Sequence, residues 1–201
     1  MPHEKQKRST SAKSRSPRRA NVAKAQGRPR PERGGKIRPR ARVGGDSGGK
    51  VGDVRKLRPL GRLLAALEEE QIRFILIGMS AAIAQGVMGT TLDVDLWIDL
   101  PSRRYMQVQN LARRLGATPA ANTVVYLSDG TPVNFVYEVT GLGTFARELA
   151  AAALLRFQGR MIPVLPLRRI QKSKKAVGRD KDKLHVQQID EFLRCQKAAG
   201  R

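Results

Sequence analysis

From about residue 55 onward, apolar positions fall into alternating helical and strand periods. Leu60, Leu63, Leu64 and Leu67 recur at the spacing of one helix face and run into Glu68-Glu69-Glu70, which predicts an amphipathic helix. Ile72 to Ile77 is a β-branched and aromatic run, a strand that Gly78 stops. Ser80 to Gln85, small and apolar, reads as a short helix with Gly86 past its end. Thr91 to Asp99 follows as a second strand. Its alternation places Leu92, Val94, Leu96 and Ile98 on one face and Asp93, Asp95, Trp97 and Asp99 on the other.

Ser102 is a good N-cap for a helix from Arg103 to Leu115, which Gly116 ends. Thr123 to Leu127 and Val133 to Val139 flank Ser128-Asp129-Gly130-Thr131, whose Asp-Gly pair signals a β-hairpin. A helix over Thr144 to Leu155 then leads, through a turn around Gly159, to a short strand from Met161 to Leu165. Pro166 opens a helix over Leu167 to Lys175, and a last helix runs from about Asp180 to Gln196. The order α-β-α-β-α-β-β-α-β-α-α predicts an α/β (α+β) domain over residues 53–201. It is a mixed β-sheet flanked by helices, with two C-terminal helices closing the chain.

Residues 1–52 have none of this periodicity. Of the 39 Lys and Arg in the 201-residue chain, 16 lie in the first 50 residues against 3 Asp and Glu, a net charge of +13 of the total +22. The same segment contains no Leu, Phe, Trp or Tyr. It lacks the apolar surface to offset the entropy of ordering, so a disordered basic tail is expected. Its charge suits electrostatic attachment to RNA, DNA or acidic lipid, and a solvated extension without a partner is the plainer alternative. No aromatic residue is present on which a base could stack. One cysteine, Cys195, excludes an internal disulfide, and no Cys/His cluster exists for zinc. The apolar runs Phe74 to Ile77 and Leu149 to Leu155 are too short to cross a bilayer, and a soluble, cytoplasmic protein is expected.

The chemistry concentrates in Asp93 and Asp95. Two residues apart on a strand, both side chains leave one face about 6.5–7 Å apart along the chain. Such carboxylates repel unless a cation lies between them, and Mg²⁺ is characteristically held by one or two carboxylates plus substrate phosphates. Alone, Asp-x-Asp on a strand is usually a polar stripe facing solvent. The context adds to it, because Ile77-Gly78-Met79-Ser80 is a strand running into a Gly-x-Ser turn and a helix. Glycine lets the backbone approach a phosphate, and a Ser hydroxyl can help to hold one. The segment from Ser80 to Asp93 is long enough for one helix and a return to the adjacent strand.

These motifs resemble the nucleotidyltransferase superfamily, whose pattern is a hydrophobic strand, Gly with Gly or Ser, then hydrophobic-Asp-hydrophobic-Asp-hydrophobic. The pattern reads Gly78-Met79-Ser80 and Leu92-Asp93-Val94-Asp95-Leu96, with Thr91 in the usual Thr-x-Asp place. A later segment, Ser173-Lys174-Lys175-Ala176-Val177-Gly178-Arg179-Asp180-Lys181-Asp182, resembles the C-terminal motif of small bacterial AbiEii/AbiGii-toxin-like nucleotidyltransferases. The resemblance covers residues 70–193. It implies that Gly78, Ser80 and Lys174 bind nucleotide, that Asp93 and Asp95 are the catalytic pair holding Mg²⁺ (or Mn²⁺), and that Arg179 and Asp182 form a structural or substrate-contacting pair. It also implies an NTP substrate, a hydroxyl on tRNA or a protein as acceptor, and membership of a toxin–antitoxin pair with an antitoxin partner.

Two departures stand out. Active members carry a third carboxylate on a later strand, where this chain has Asn134 in Pro132-Val133-Asn134-Phe135-Val136. An amide oxygen can ligate Mg²⁺ weakly but brings no negative charge and cannot act as a general base. Many relatives also have an Arg two residues before the Thr, where this chain has Gly89. Both changes remove groups that stabilise phosphoryl charge. Glu138, on the same strand face as Asn134 but four residues on, is a possible substitute. A second reading follows: a catalytically weakened or inactive nucleotide- or RNA-binding protein on the same fold. His185 on the last helix reads as structural, Asp99 as a strand end and Trp97 as packing.

Overall fold

The computed structural model describes residues 56–200. The basic tail expected over residues 1–52 lies outside them. The described chain forms one seven-stranded mixed sheet in the order β3-β4-β5-β2-β1-β7-β6, flanked by helices. Its elements are α1 (Pro59–Glu69), β1 (Phe74–Ile77), α2 (Gly78–Ala84), β2 (Val94–Ile98), α3 (Tyr105–Arg114), β3 (Thr118–Ala121), β4 (Val124–Tyr126), β5 (Pro132–Val136), α4 (Phe145–Ala151), β6 (Ala153–Phe157), β7 (Arg160–Val164), α5 (Leu167–Val177) and α6 (Asp180–Ala198). A 3₁₀ turn, Ser102–Arg104, precedes α3. The mixed α/β class expected from the chain is the one observed.

The helical stripe of α1 is the inner face predicted from its leucines, with Leu60, Leu63, Leu64 and Leu67 all buried. Pro59 opens that helix, where its fixed φ and missing N–H cost nothing. β1 is buried on both faces because it lies inside the sheet, antiparallel to β2 and parallel to β7. β2 pairs in turn with β5 in parallel. Trp97 is 3 % exposed and packs edge-on against Phe145 at 5.5 Å, while its indole N–H donates to the Tyr137 carbonyl at 3.2 Å. The acidic face expected for β2 is therefore closed at Trp97, between the open start of the strand and the part-exposed Asp99.

The sequence pattern does not predict β3 and β6, and these are the two edges of the sheet. Thr118-Pro119-Ala120-Ala121 has a single β-branched residue, Thr118, and no large apolar one, and pairing with β4 makes it a strand. Proline is tolerated there because an edge strand leaves one row of N–H groups unpaired. The helix expected over Thr144 to Leu155 stops at Ala151, and Ala153–Phe157 turns back on β7 as a hairpin. Gln158 and Gly159, at φ 51° and 79°, form its tight turn. Helix propensity in the Leu149-to-Leu155 run thus yields to strand pairing that no local signal reveals. The second strand is also shorter than expected: it begins at Val94, leaving Asp93 just before it and Leu92 89 % exposed.

One buried ion pair secures α4 and the loop before it to α5. Glu148 is 1 % exposed, accepts from Arg169 Nε at 2.7 Å and from the Gly143 N–H at 3.0 Å, and meets Arg169 a second time through its terminal nitrogen. The Arg169 hydrogen bonds hold the Glu148 carboxyl below its ordinary range, against the opposing pull of burial. A carboxyl whose folded pKa is depressed contributes stability that is complete above its unfolded pKa and disappears as pH falls through the folded value. Glu148→Gln is accordingly expected to cost about 1–2 kcal/mol at neutral pH, Arg169 being partly open to solvent. The difference from wild type should shrink as denaturation curves are taken below the ordinary Glu range.

Candidate active site

Gly78 ends β1 and begins α2 at φ +71°, a left-handed conformation that side-chain-bearing residues adopt with strain. A Cβ at this position would also run into the Asp95 carboxylate. The close approach follows from the β1–β2 register, which sets Ile77 opposite Asp95, and the positive φ belongs to the turn from strand into helix. On the other side of β2, Asp95 is in register with Asn134 of β5, whose amide Nδ2 donates to Asp95 Oδ1 at 3.1 Å. Three neighbouring strands thus converge on one half-buried carboxylate.

Burial raises the pKa of Asp95, the Asn134 hydrogen bond opposes it, and the nearby charge of Asp93 raises it again, while Lys174 and Lys181 pull it down. The net direction is upward. Asp93 itself is exposed, and the Thr91 hydroxyl donates to its Oδ1 at 2.6 Å. The expected pair is therefore electrostatically coupled, although only Asp95 stands within the strand.

A cleft of about 190 Å³ opens over Asp95. Gly78, Asn134, Glu138, Lys174, Arg179 and Asp182 line it with Asp95. Residues from opposite ends of the domain sequence meet here because α5 packs against α2, which directly follows β1, and α6 packs on α5. Asp93 and Ser80 instead line a neighbouring cavity of about 420 Å³, together with Gly89, Thr90, Thr91 and Asp129. Ser80 is 6 % exposed and its hydroxyl donates to the Ile77 carbonyl at 3.2 Å, within its own turn. The two carboxylates stand between two openings, not in one.

The C-terminal motif forms a compact charge network. Asp182 is 1 % exposed and accepts from Arg179 Nε at 2.7 Å and from Lys174 Nζ at 3.2 Å. Burial alone would raise Asp182, but the bonds from Arg179 and Lys174 outweigh it and hold the carboxyl low. Lys174 Nζ also lies 3.0 Å from Nδ1 of His185. His185 is thus a site neighbour that sequence reasoning missed. The available signal was its position three residues after Asp182 on a helix, which puts both on the face that carries buried Ile189. Glu138 is exposed at the far rim of the cleft.

The donor set suits a hard cation shared with phosphates. Asp93 and Asp95 supply two coupled carboxylates, and burial together with the charge of Asp93 raises the pKa of Asp95. Among the described residues no group of three or more His, Cys, Asp or Glu is placed to cage a metal. Two carboxylates completed by substrate oxygens would be the Mg²⁺-type arrangement.

No protein-family profile matches the chain, and no curated protein sequence does. Solved structures are similar in fold. ANT(2″)-Ia in complex with adenylyl-2″-tobramycin aligns at 16 % identity and TM-score 0.47, over 69 % of this chain and 89 % of its own. The lincosamide antibiotic adenylyltransferase LnuA, lincomycin-bound, aligns at 12 % identity and TM-score 0.45, over 66 % and 94 %. The Thermotoga maritima protein TM1012 aligns at 17 % and 0.43, over 71 % and 91 %.

The Gly78 contact can be tested directly. Gly78→Ala is expected to destabilise the fold by more than about 1 kcal/mol, since it combines positive φ with a clash, and to displace Asp95. Thermal denaturation and a crystal structure of the variant would read both effects. An unchanged melting temperature would mean that the turn accommodates the methyl group.

Proposed function

We propose that this protein is a metal-dependent nucleotidyltransferase that moves a nucleoside monophosphate from an NTP to a hydroxyl. The observation that carries the reading is the convergence of Gly78, Asp95, Lys174 and Arg179 on one cleft, with Asp93 coupled to Asp95 beside it. In this reading Asp93 and Asp95 hold Mg²⁺ or Mn²⁺ against the triphosphate. The cation would supply neutralisation of the charge that builds on the transferring phosphoryl group. The glycine at position 78 keeps the floor of the cleft open to a phosphate, with Ser80 shaping the turn behind it. Lys174 brings a cation to the phosphates, and Asp182 holds both Lys174 and Arg179 in place. In-line transfer then requires mainly positioning and charge compensation, which is what these residues provide.

The acceptor in this proposal is a hydroxyl on tRNA or on a protein side chain, and the protein acts as the toxin of a toxin–antitoxin pair. The net charge of +13 in the first 50 residues supports an RNA acceptor, since such a segment gains affinity by releasing counter-ions from phosphates. Among the described residues no helix is long and apolar enough to cross a membrane. Deleting residues 1–50 is expected to weaken RNA binding at low salt while leaving the domain's melting temperature nearly unchanged. Equal affinity of both forms in a low-salt filter-binding assay would remove the tail from RNA recognition.

A second reading, a nucleotide- or RNA-binding protein with weakened or no catalysis, is favoured by Asn134. It occupies the position in register with Asp95 and uses its amide N–H to tie down that carboxylate, adding no charge. One experiment separates the two. Wild type, Asp95→Ala and Asn134→Asp are given each α-phosphate-labelled NTP with Mg²⁺ and bulk tRNA. The enzyme reading expects slow transfer by wild type, none by Asp95→Ala, and a rise with Asn134→Asp, which adds a carboxylate of nearly the same size. Nucleotide binding without transfer in every form supports the binding protein. Metal-dependent binding that survives Asp95→Ala unaltered would refute the assigned site.

A further inference from the structure

We propose that His185 is a positioning residue, a neutral imidazole that fixes the Lys174 ammonium toward the cleft. The inference rests on the nucleotidyltransferase reading for its consequence, and on geometry for its basis. Lys174 is 12 % exposed, and two of its three N–H directions are accounted for by Asp182 Oδ1 at 3.2 Å and His185 Nδ1 at 3.0 Å. Lys174 lines the cleft that also holds Asp95, Gly78 and Asn134. Two anchors on one side leave the ammonium's remaining donor capacity for the open side.

An ammonium only donates hydrogen bonds, so Nδ1 of His185 has to accept, and the ring carries its proton on Nε2. Burial and the charge of Lys174 both hold His185 below its ordinary pKa, with Lys181 adding to them and Asp182 and Asp93 opposing. The ring is therefore a neutral acceptor at neutral pH. This choice of residue has a chemical reason. A second carboxylate would anchor the lysine as firmly but would cancel the positive charge that a phosphate needs. Asp182 already divides its charge between Lys174 and Arg179. A neutral acceptor fixes direction and leaves the charge intact.

The test uses the full chain. Dissociation constants of the four labelled NTPs with Mg²⁺ are measured for wild type, His185→Phe, His185→Asn, Lys174→Met and the double variant His185→Phe/Lys174→Met, alongside melting temperatures. His185→Phe should weaken binding about tenfold, the loss of one charge-assisted contact, with little change in melting temperature. His185→Asn, whose side-chain oxygen can replace Nδ1 as acceptor, should recover most of it. In the Lys174→Met background the Phe substitution should cost nothing more. Undiminished binding by His185→Phe, or an equal loss with and without Lys174, overturns the proposal. Nitrogen-15 NMR of wild type and Lys174→Met reads the same contact without nucleotide. An unprotonated Nδ1 whose shift moves when Lys174 is replaced supports it, and a protonated or indifferent Nδ1 overturns it. Failure of wild type to bind any NTP would instead sink the nucleotidyltransferase reading, while the NMR result still decides the role of His185.

Discussion

The carboxylate of Asp95 is the constraint around which the rest of this domain is arranged. It stands at the open end of a central strand, pressed against Gly78 on one side and hydrogen-bonded by Asn134 on the other. Burial and the charge of Asp93 both work against its ionisation. A charge in that position needs cations close by, and the chain supplies them from its far end. Lys174 and Lys181 reach it from the C-terminal helices, and the charge of Arg179 is felt there as well. The packing of α5 against α2 and of α6 on α5 thus brings positive charge to the site as well as covering apolar surface.

Two of the carboxylates that line the cleft stand in contrasting settings. Asp95 is raised by burial and by the charge of Asp93, while Asp182, less exposed to solvent, is held low by its bonds from Arg179 and Lys174. The opposite shifts follow from the surroundings, desolvation beside another carboxylate in one case and bonds from two cations in the other. Asp182 organises Lys174 and Arg179, and Lys174 in turn engages His185. Glu148 and Arg169 hold the start of α5 against α4, so the helix that carries Lys174 is anchored independently of the cleft.

Much of this was legible before any coordinates. The leucine stripe of α1, the apolar run of β1, the Asp-Gly hairpin between β4 and β5 and the order of the C-terminal helices all follow from periods and turn residues. The strands that escaped are β3 and β6, the two sheet edges; β3 escaped because an edge strand is paired along one side and this one carries little apolar bulk. Leu149 to Leu155 carries the composition of a helix, and only the hairpin with β7 turns its second half into a strand.

The sequence by itself singled out Gly78, Asp93 and Asp95 through their order along the chain, and Lys174 through the family resemblance, as candidates for one site. Tertiary structure decided how they share it. It set Asp93 before the strand and Asp95 within it, turned the Ser80 hydroxyl back on its own turn, and gave the Asn134 amide to Asp95. It also brought His185 to Lys174 across two helices. The physical reason is range. Periodicity and turn chemistry act over a few residues, whereas register, burial and the approach of charges from distant segments exist only once the sheet has closed.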